Sequence, residues 1–253
     1  MAVTKRIKMI VPVPVPGAAL DSFAAQIPAA LIRPDIAVDF VATRAGANLL
    51  DSAYEACLAD VFVLDAGARA EAEGYAAVCI NSMSDSGLAA LRSRLTIPVI
   101  GPGRASFHLA ADLGRRFSVI TMWPRWHWIY TKLAADTGLG SRLASIRDIG
   151  TRPDTEALLA GKEEVVFGAL EAACRAAIDT DGADVLILGS TTMHQSHSWL
   201  AARLEIPILN PGLVAFKQCE MLIDLGLTHS KAAYPPPEHM KDDLLDAVPA
   251  LFP

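Results

Sequence analysis

Short apolar runs alternate with amphipathic stretches along the whole chain. Ile7–Val11, Val38–Ala42, Ala77–Ile80 and Pro98–Ile100 are brief, apolar and rich in branched side chains, and they read as strands. Between them, Ala18–Leu31, Asp51–Ala72 and Gly87–Leu95 carry helical spacing. The second half keeps the rhythm, with strand-like Phe117–Thr121, Val185–Leu188 and Ile208–Leu209 and helix-like Val165–Thr180 and Trp199–Leu204. Apolar strands separated by helices belong to parallel sheets covered on both faces, which predicts an α/β protein. Pro235-Pro236-Pro237 marks a turn before a short charged C-terminal helix.

The pattern occurs twice in detail. VCINSMSDSGLAALRSRLTIPVIGPG begins at Val78, and VLILGSTTMHQSHSWLAARLEIPILNPG begins at Val185. Each runs from an apolar strand through a small-polar loop containing a serine. A helix ending in Arg-Leu follows, then Ile-Pro, an apolar pair and Pro-Gly. Ser82 and Ser190 are 108 positions apart, and Pro98 and Pro207 are 109 apart, so one inserted residue separates the copies. This duplication predicts two pseudo-symmetric α/β lobes, each a short parallel sheet flanked by helices. Residues 1–102 with about 210–253 make the first lobe in this reading, and about 103–209 the second. Ligands of open parallel sheets bind beyond the carboxyl ends of the strands. Ser82 and Ser190 fall there, so the active site is expected in a cleft between the lobes, with one serine from each.

Composition narrows the field. A chain of 253 residues that is 52% hydrophobic and 20% charged can build a packed core and is not disordered. A net charge of −6 argues against binding a phosphate backbone, so no nucleic-acid partner is expected. Cys57, Cys79, Cys174 and Cys219 are too few and too scattered for a disulfide framework, and no CxxC pair suggests zinc. The apolar stretch after the basic N-terminus is interrupted by Pro12, Pro14 and Pro16, unlike a signal peptide or membrane span. The expectation is a soluble cytoplasmic protein with no membrane partner and no metal.

Two motifs carry a resemblance. Gly74–Leu88 reads GYAAVCINSMSDSGL, and Gly182–Met193 reads GADVLILGSTTM. They resemble GYDAVVIxCFxDPGL and GADVxxLGCAGM of the aspartate/glutamate/hydantoin racemase superfamily, nearest its hydantoin and allantoin racemase branch. The resemblance covers nearly the whole chain. It implies two pseudo-symmetric, Rossmann-like lobes of four strands, cofactor-independent chemistry on a small molecule, and a homo-oligomer. In that family two cysteines, one per lobe, remove and return a proton on opposite faces of a carbon next to a carbonyl. Serine stands at both positions here, as Ser82 and Ser190. The family's N-terminal NPN substrate loop appears as Val11-Pro12-Val13, which makes Pro12 and Val13 candidate substrate contacts.

Serine changes the chemistry that these positions suggest. A thiol, with a reference pKa of about 8.5, can be tuned to abstract protons near neutral pH. A serine hydroxyl is much less acidic and needs a neighbouring base to act as a nucleophile. The first expectation is therefore hydrolytic opening of a small cyclic amide or imide, with aromatic-fused rings included. One serine would attack, the other would stabilise the oxyanion, and a histidine would serve as base. His194, on the Ser190 loop, is preferred to His127 for that role. A hydantoin-type racemase or isomerase is the alternative, and a non-catalytic binder of small carboxylates or rings is a third.

Further substrate contacts come from the same loops. Ser84, Asp85, Thr191 and Thr192 could hold a carboxylate or carbonyl, although such residues between strand and helix also serve as caps. Thr121, Trp123 and Trp126 lie at and beyond the end of a predicted strand. There the tryptophans form a flat apolar wall for a ring, or pack in a core or subunit interface. His194 and His197 have the spacing of a metal pair but no third ligand nearby in sequence. Cys79 lies an odd three residues from Ser82, so its side chain leaves the strand on the opposite face.

Overall fold

The computed structural model describes residues 4–153 and 165–251. The chain divides into two compact units, Met1–Gly101 with Ala215–Pro253, and Pro102–Val214. Each unit contains one four-stranded parallel sheet flanked by helices.

In the first unit, β1 (Lys5–Val11), β2 (Ile36–Ala42), β3 (Tyr75–Ile80) and β4 (Val99–Ile100) lie in the order β2-β1-β3-β4. The two middle strands carry the buried core of the sheet: Ile7, Met9, Ile10, Val78, Cys79 and Ile80 are fully buried. The helices are α1 (Gly17–Ala24), α2 (Ala53–Gly67) and α3 (Leu88–Arg94).

Two of these helices are shorter than their sequence patterns suggest. The helix expected over 18–31 stops at Ala24 and gives way to a separate 3-10 turn, Ala29–Leu31, because Pro28 has no N–H to continue the ladder. The helix expected from Asp51 starts at Ala53, because the Ser52 hydroxyl accepts the Glu55 N–H as an N-cap. Glu55 in turn accepts the Leu49 N–H at 2.8 Å and anchors the preceding loop. The helix ends at Gly67 rather than Ala72, and a turn closed at Gly74, with φ +81°, leads into β3.

The second unit repeats the topology. Strands β5 (Phe117–Thr121), β6 (Leu143–Asp148), β7 (Val185–Leu188) and β8 (Ile208–Leu209) lie in the order β6-β5-β7-β8. Helices α4 (Pro102–Leu113), α5 (His127–Thr137), α6 (Phe167–Asp179) and α7 (His194–Ala201) surround them. Helix α8 (Pro211–Leu225) follows β8, and a short α9 (Asp243–Asp246) lies near the C-terminus. The helix expected at Trp199–Leu204 begins five residues earlier, at His194, and ends at Ala201.

The duplication extends to strand register. Val78 pairs with Val99 and Cys79 with Ile100 in the first sheet; Leu186 pairs with Ile208 and Ile187 with Leu209 in the second. Buried Ile120, Leu170, Cys174, Leu186, Leu188 and Leu200 form one core of the second unit. Ile10, Val63, Val78, Ile80, Leu91 and Val99 do the same in the first. Among the described residues, no helix is long and apolar enough to cross a membrane.

Candidate functional site

Both serines sit one residue beyond the point where parallel pairing ends. The Asn81 N–H donates to the Ile10 carbonyl at 2.7 Å, and the Gly189 N–H donates to the Ile120 carbonyl at 2.7 Å. These bonds carry the third strand of each sheet one step past its neighbour and leave Ser82 and Ser190 as the first free-standing residues. Both are partly exposed at the carboxyl end of their strands.

The two loops then make the same hydrogen bonds. Ser82 Oγ lies 2.9 Å from Ser84 Oγ and accepts the Ser84 N–H at 3.2 Å. Ser190 Oγ lies 2.8 Å from Thr192 Oγ1 and accepts the Thr192 N–H at 3.3 Å. In the first loop a third hydroxyl joins, with Ser84 Oγ and Ser86 Oγ 2.8 Å apart. Each serine oxygen thus accepts the amide of the residue two on and lies within hydrogen-bond distance of that residue's hydroxyl. That concentrates hydrogen-bond donors where negative charge on a serine oxygen would develop.

Beyond the hydroxyls the loops diverge. The first uses two left-handed residues, Asp85 at φ +51° and Gly87 at φ +68°. The Gly87 N–H donates to Asp60 Oδ1 at 2.7 Å, which fixes the entry to α3. Asp85 lies against the backbone of Gly101, where an added Cβ would come within 2.4 Å of the carboxylate. The second loop forms one 3-10 turn, Thr191–Met193, capped by Ser190, and runs directly into α7 at His194. Thr191 is buried in that turn.

The histidines are placed differently from the expectation of a serine–base pair. His194 is the first residue of α7 and mostly buried. Burial pushes its imidazole below the ordinary value of 6.5, against a smaller opposing effect of the Thr191 backbone. No hydrogen bond joins it to Ser190 among the described residues; the Ser190 hydroxyl is engaged by Thr192 instead. His127 opens α5 with Nε2 2.9 Å from Asp148 Oδ2, at the end of β6. His197 Nε2 lies 2.9 Å from the Ile208 carbonyl, which ties it to β8, and no group of three metal-ligating side chains occurs among the described residues.

The remaining candidates divide between packing and exposure. Pro12 is buried, and Val13 packs against the clusters around Val15 and Leu50. Thr121 is fully buried with its hydroxyl 2.9 Å from that of Tyr130, so it presents no free hydroxyl as a substrate contact would. Trp123 and Trp126 are half-buried and meet edge to face, with ring centres 6.2 Å apart and Arg125 over Trp123. Cys79 is fully buried beside Cys219, and burial raises its thiol pKa well above the ordinary range, which removes it as a proton acceptor.

Comparison with known proteins follows the same lines as the geometry. Residues 18–219 match the family model described as Asp/Glu/hydantoin racemase. The chain is 29% identical to a hydantoin racemase of Pseudomonas sp. (strain NS671) over 199 residues, covering 79% of each protein. It is 31% identical to a hydantoin racemase of Rhizobium meliloti over 175 residues, covering 66% of this chain and 69% of that one. The solved structure of allantoin racemase from Klebsiella pneumoniae superposes with a TM-score of 0.83 at 28% identity, covering 93% of this chain and 95% of that one.

These relatives overturn the expectation of hydrolytic ring opening, because the similar proteins are racemases along most of their length. Ser190 is bonded to Thr192 and Ser82 to Ser84, and no histidine bonds either hydroxyl among the described residues, so the serine–histidine pair that the hydrolytic expectation relied on is not formed.

Proposed function

The chain belongs to the Asp/Glu/hydantoin racemase family, and from that premise we propose a racemase or isomerase of small hydantoin-like rings, with Ser82 and Ser190 as its two proton-transfer groups. The observation that carries this reading is the pairing of each serine with a hydroxyl two residues on, in loops that occupy equivalent places in the two sheets.

The chemistry follows from what each group can hold. Removing a proton from a carbon next to a carbonyl sends the bonding electron pair into the carbonyl as an enolate. One serine, as alkoxide, accepts that proton. The other, as hydroxyl, returns its own proton to the opposite face of the carbon and becomes the alkoxide. After one turnover the two have exchanged roles, and no cofactor is consumed. An alkoxide is far less stable in water than a thiolate, so it needs donors fixed in advance. Ser84 and Thr192 supply them, each with one hydroxyl and one amide. No histidine is bonded to either serine among the described residues, so the proton that the first serine loses on ionising passes to solvent once, before turnover begins.

The test uses single enantiomers of allantoin and of 5-benzylhydantoin. Wild-type protein is expected to invert at least one of them, and Ser82→Ala and Ser190→Ala each to lose about 100-fold or more in turnover. Near-wild-type rates in both variants would end the serine reading.

A further inference from the structure

We propose that Tyr130 is a positioning residue for Ser190, acting through the carbonyl of Gly189 from a buried site on α5. The inference rests on the reading of Ser190 as a proton-transfer group and identifies what aims it.

The Tyr130 side chain is almost wholly buried in the second unit. Its hydroxyl donates to the Gly189 carbonyl at 2.6 Å. That bond uses its single hydrogen, so at the 2.9 Å contact with Thr121 Oγ1 the threonine must donate and the tyrosine accept. The phenol oxygen therefore has both its donor and its acceptor role filled. Burial raises its pKa, so it keeps its proton, and its donor role, throughout the working pH range.

This hydroxyl joins three elements at one point. Thr121 ends β5, Tyr130 lies on α5, and Gly189 is the residue between β7 and Ser190. The Gly189 N–H is held on the opposite side by the Ile120 carbonyl at 2.7 Å. Gly189's own N–H and C=O are thus both held, and the carbonyl belongs to the peptide whose nitrogen is that of Ser190. Rotating that peptide would swing the Ser190 side chain directly. There is also no room for slack, because a Cβ on Gly189 would lie 2.7 Å from both the Tyr130 hydroxyl and Thr121 Cβ.

A buried hydroxyl could simply stabilise the fold, and the consequence for catalysis separates the two roles. If Ser190 is misaimed while Ser82 is intact, the enantiomer deprotonated by Ser82 still forms its enolate. It is then reprotonated from the same side and returns with solvent hydrogen but without inversion. In D2O this raises the ratio of deuterium exchange to inversion for one enantiomer only. A loss of folded protein lowers both rates together and leaves that ratio alone.

The experiment compares Tyr130→Phe, Ser190→Ala and Ser82→Ala on each enantiomer of 5-benzylhydantoin in D2O, alongside amide hydrogen exchange of the Gly189–Met193 segment. Tyr130→Phe is expected to speed amide exchange in that segment. It should lower the turnover number roughly 10- to 100-fold with KM within about twofold, and raise the exchange-to-inversion ratio for the same enantiomer as Ser190→Ala. Ser82→Ala should raise it for the opposite enantiomer. Unchanged amide exchange in Tyr130→Phe overturns the brace outright, whatever the substrate. A wild-type ratio in Tyr130→Phe, where Ser190→Ala shifts it, overturns the positioning role while leaving the serine reading intact. If Ser190→Ala itself shifts no ratio, it is the serine reading that fails, and the amide exchange alone decides the brace.

Discussion

Ser190 Oγ lies 2.8 Å from Thr192 Oγ1, and Ser82 makes the same contact with Ser84 at 2.9 Å. Once the serine is ionised, the hydroxyl two residues on can only donate to it. Thr192→Val and Ser84→Ala should each lower the turnover number by about 100-fold, the usual cost of removing one donor to a developing oxyanion. Thr192→Ser, which keeps the hydroxyl, should stay within a few-fold of wild type. Steady-state kinetics on single enantiomers measures this, and equal rates for Thr192→Val and Thr192→Ser would remove the donor role.

The thiols should be silent in the chemistry. Cys79, Cys174 and Cys219 are buried and Cys57 is exposed. Burial, reinforced by the nearby Glu171 carboxylate, pushes the Cys174 thiol up to about 12. A thiol reagent added to native protein should modify one cysteine rapidly and all four only after denaturation. Cys79→Ala should lower stability, by about 1–3 kcal/mol for a small buried side chain, and leave turnover per folded molecule unchanged. A large loss of turnover in folded Cys79→Ala protein would return the chemistry to a thiol.

Burial also sets a pH limit. His194 and His108 are both held below the ordinary imidazole value of 6.5, chiefly by desolvation and, for His108, also by Arg104. Each stays neutral in the folded state at a pH where the unfolded chain would protonate it. The unfolded state therefore binds more protons below pH 6.5, and stability falls as pH drops from there through the lower folded values. Thermal melting between pH 8 and 5 should show this loss, and His194→Gln should reduce it. An identical pH profile for the variant would show that His194 does not contribute.

How much of this could be read from the chain depends on where each signal lies. The two sheets are legible because β3 and β7 are apolar runs, because β1 and β5 are largely apolar beyond Arg6 and Phe117 despite Lys8, Ser118 and Thr121, and because the Ser82 and Ser190 segments repeat one another. Edge strand β6 is not, since all six residues of Leu143–Asp148 are only half-buried and the run carries two charges. Helix α5 is obscured by the tryptophans at its start, which read as a wall for a ring or as core or interface packing rather than as a helix. Tyr130 could not be found locally, because its partners Thr121 and Gly189 are 9 and 59 residues away. The glycine before Ser190 was the available hint that something packs closely there. The hydrolase expectation fails because serine at two positions changes one pair of side chains, whereas the likeness to racemases runs along most of the chain.

Gly189 offers a test of that close packing. Gly189→Ala should destabilise the second unit by about 1–3 kcal/mol through overpacking against Thr121 and Tyr130. Combining it with Tyr130→Phe should cost less than the two effects added, because removing the phenol oxygen relieves part of the clash. Urea denaturation of the single and double variants measures the coupling, and strict additivity would contradict the shared contact.

The central claim is proton transfer without ring opening. Its most direct test is to incubate each enantiomer of allantoin and of 5-benzylhydantoin with wild-type protein in D2O, correct for the enzyme-free rate, and analyse the recovered material by mass and by chiral separation. Inverted ring compound carrying one deuterium on the carbon next to the carbonyl is expected, with no ring-opened acid. Ring-opened product, or recovered rings that are neither inverted nor labelled, would contradict it.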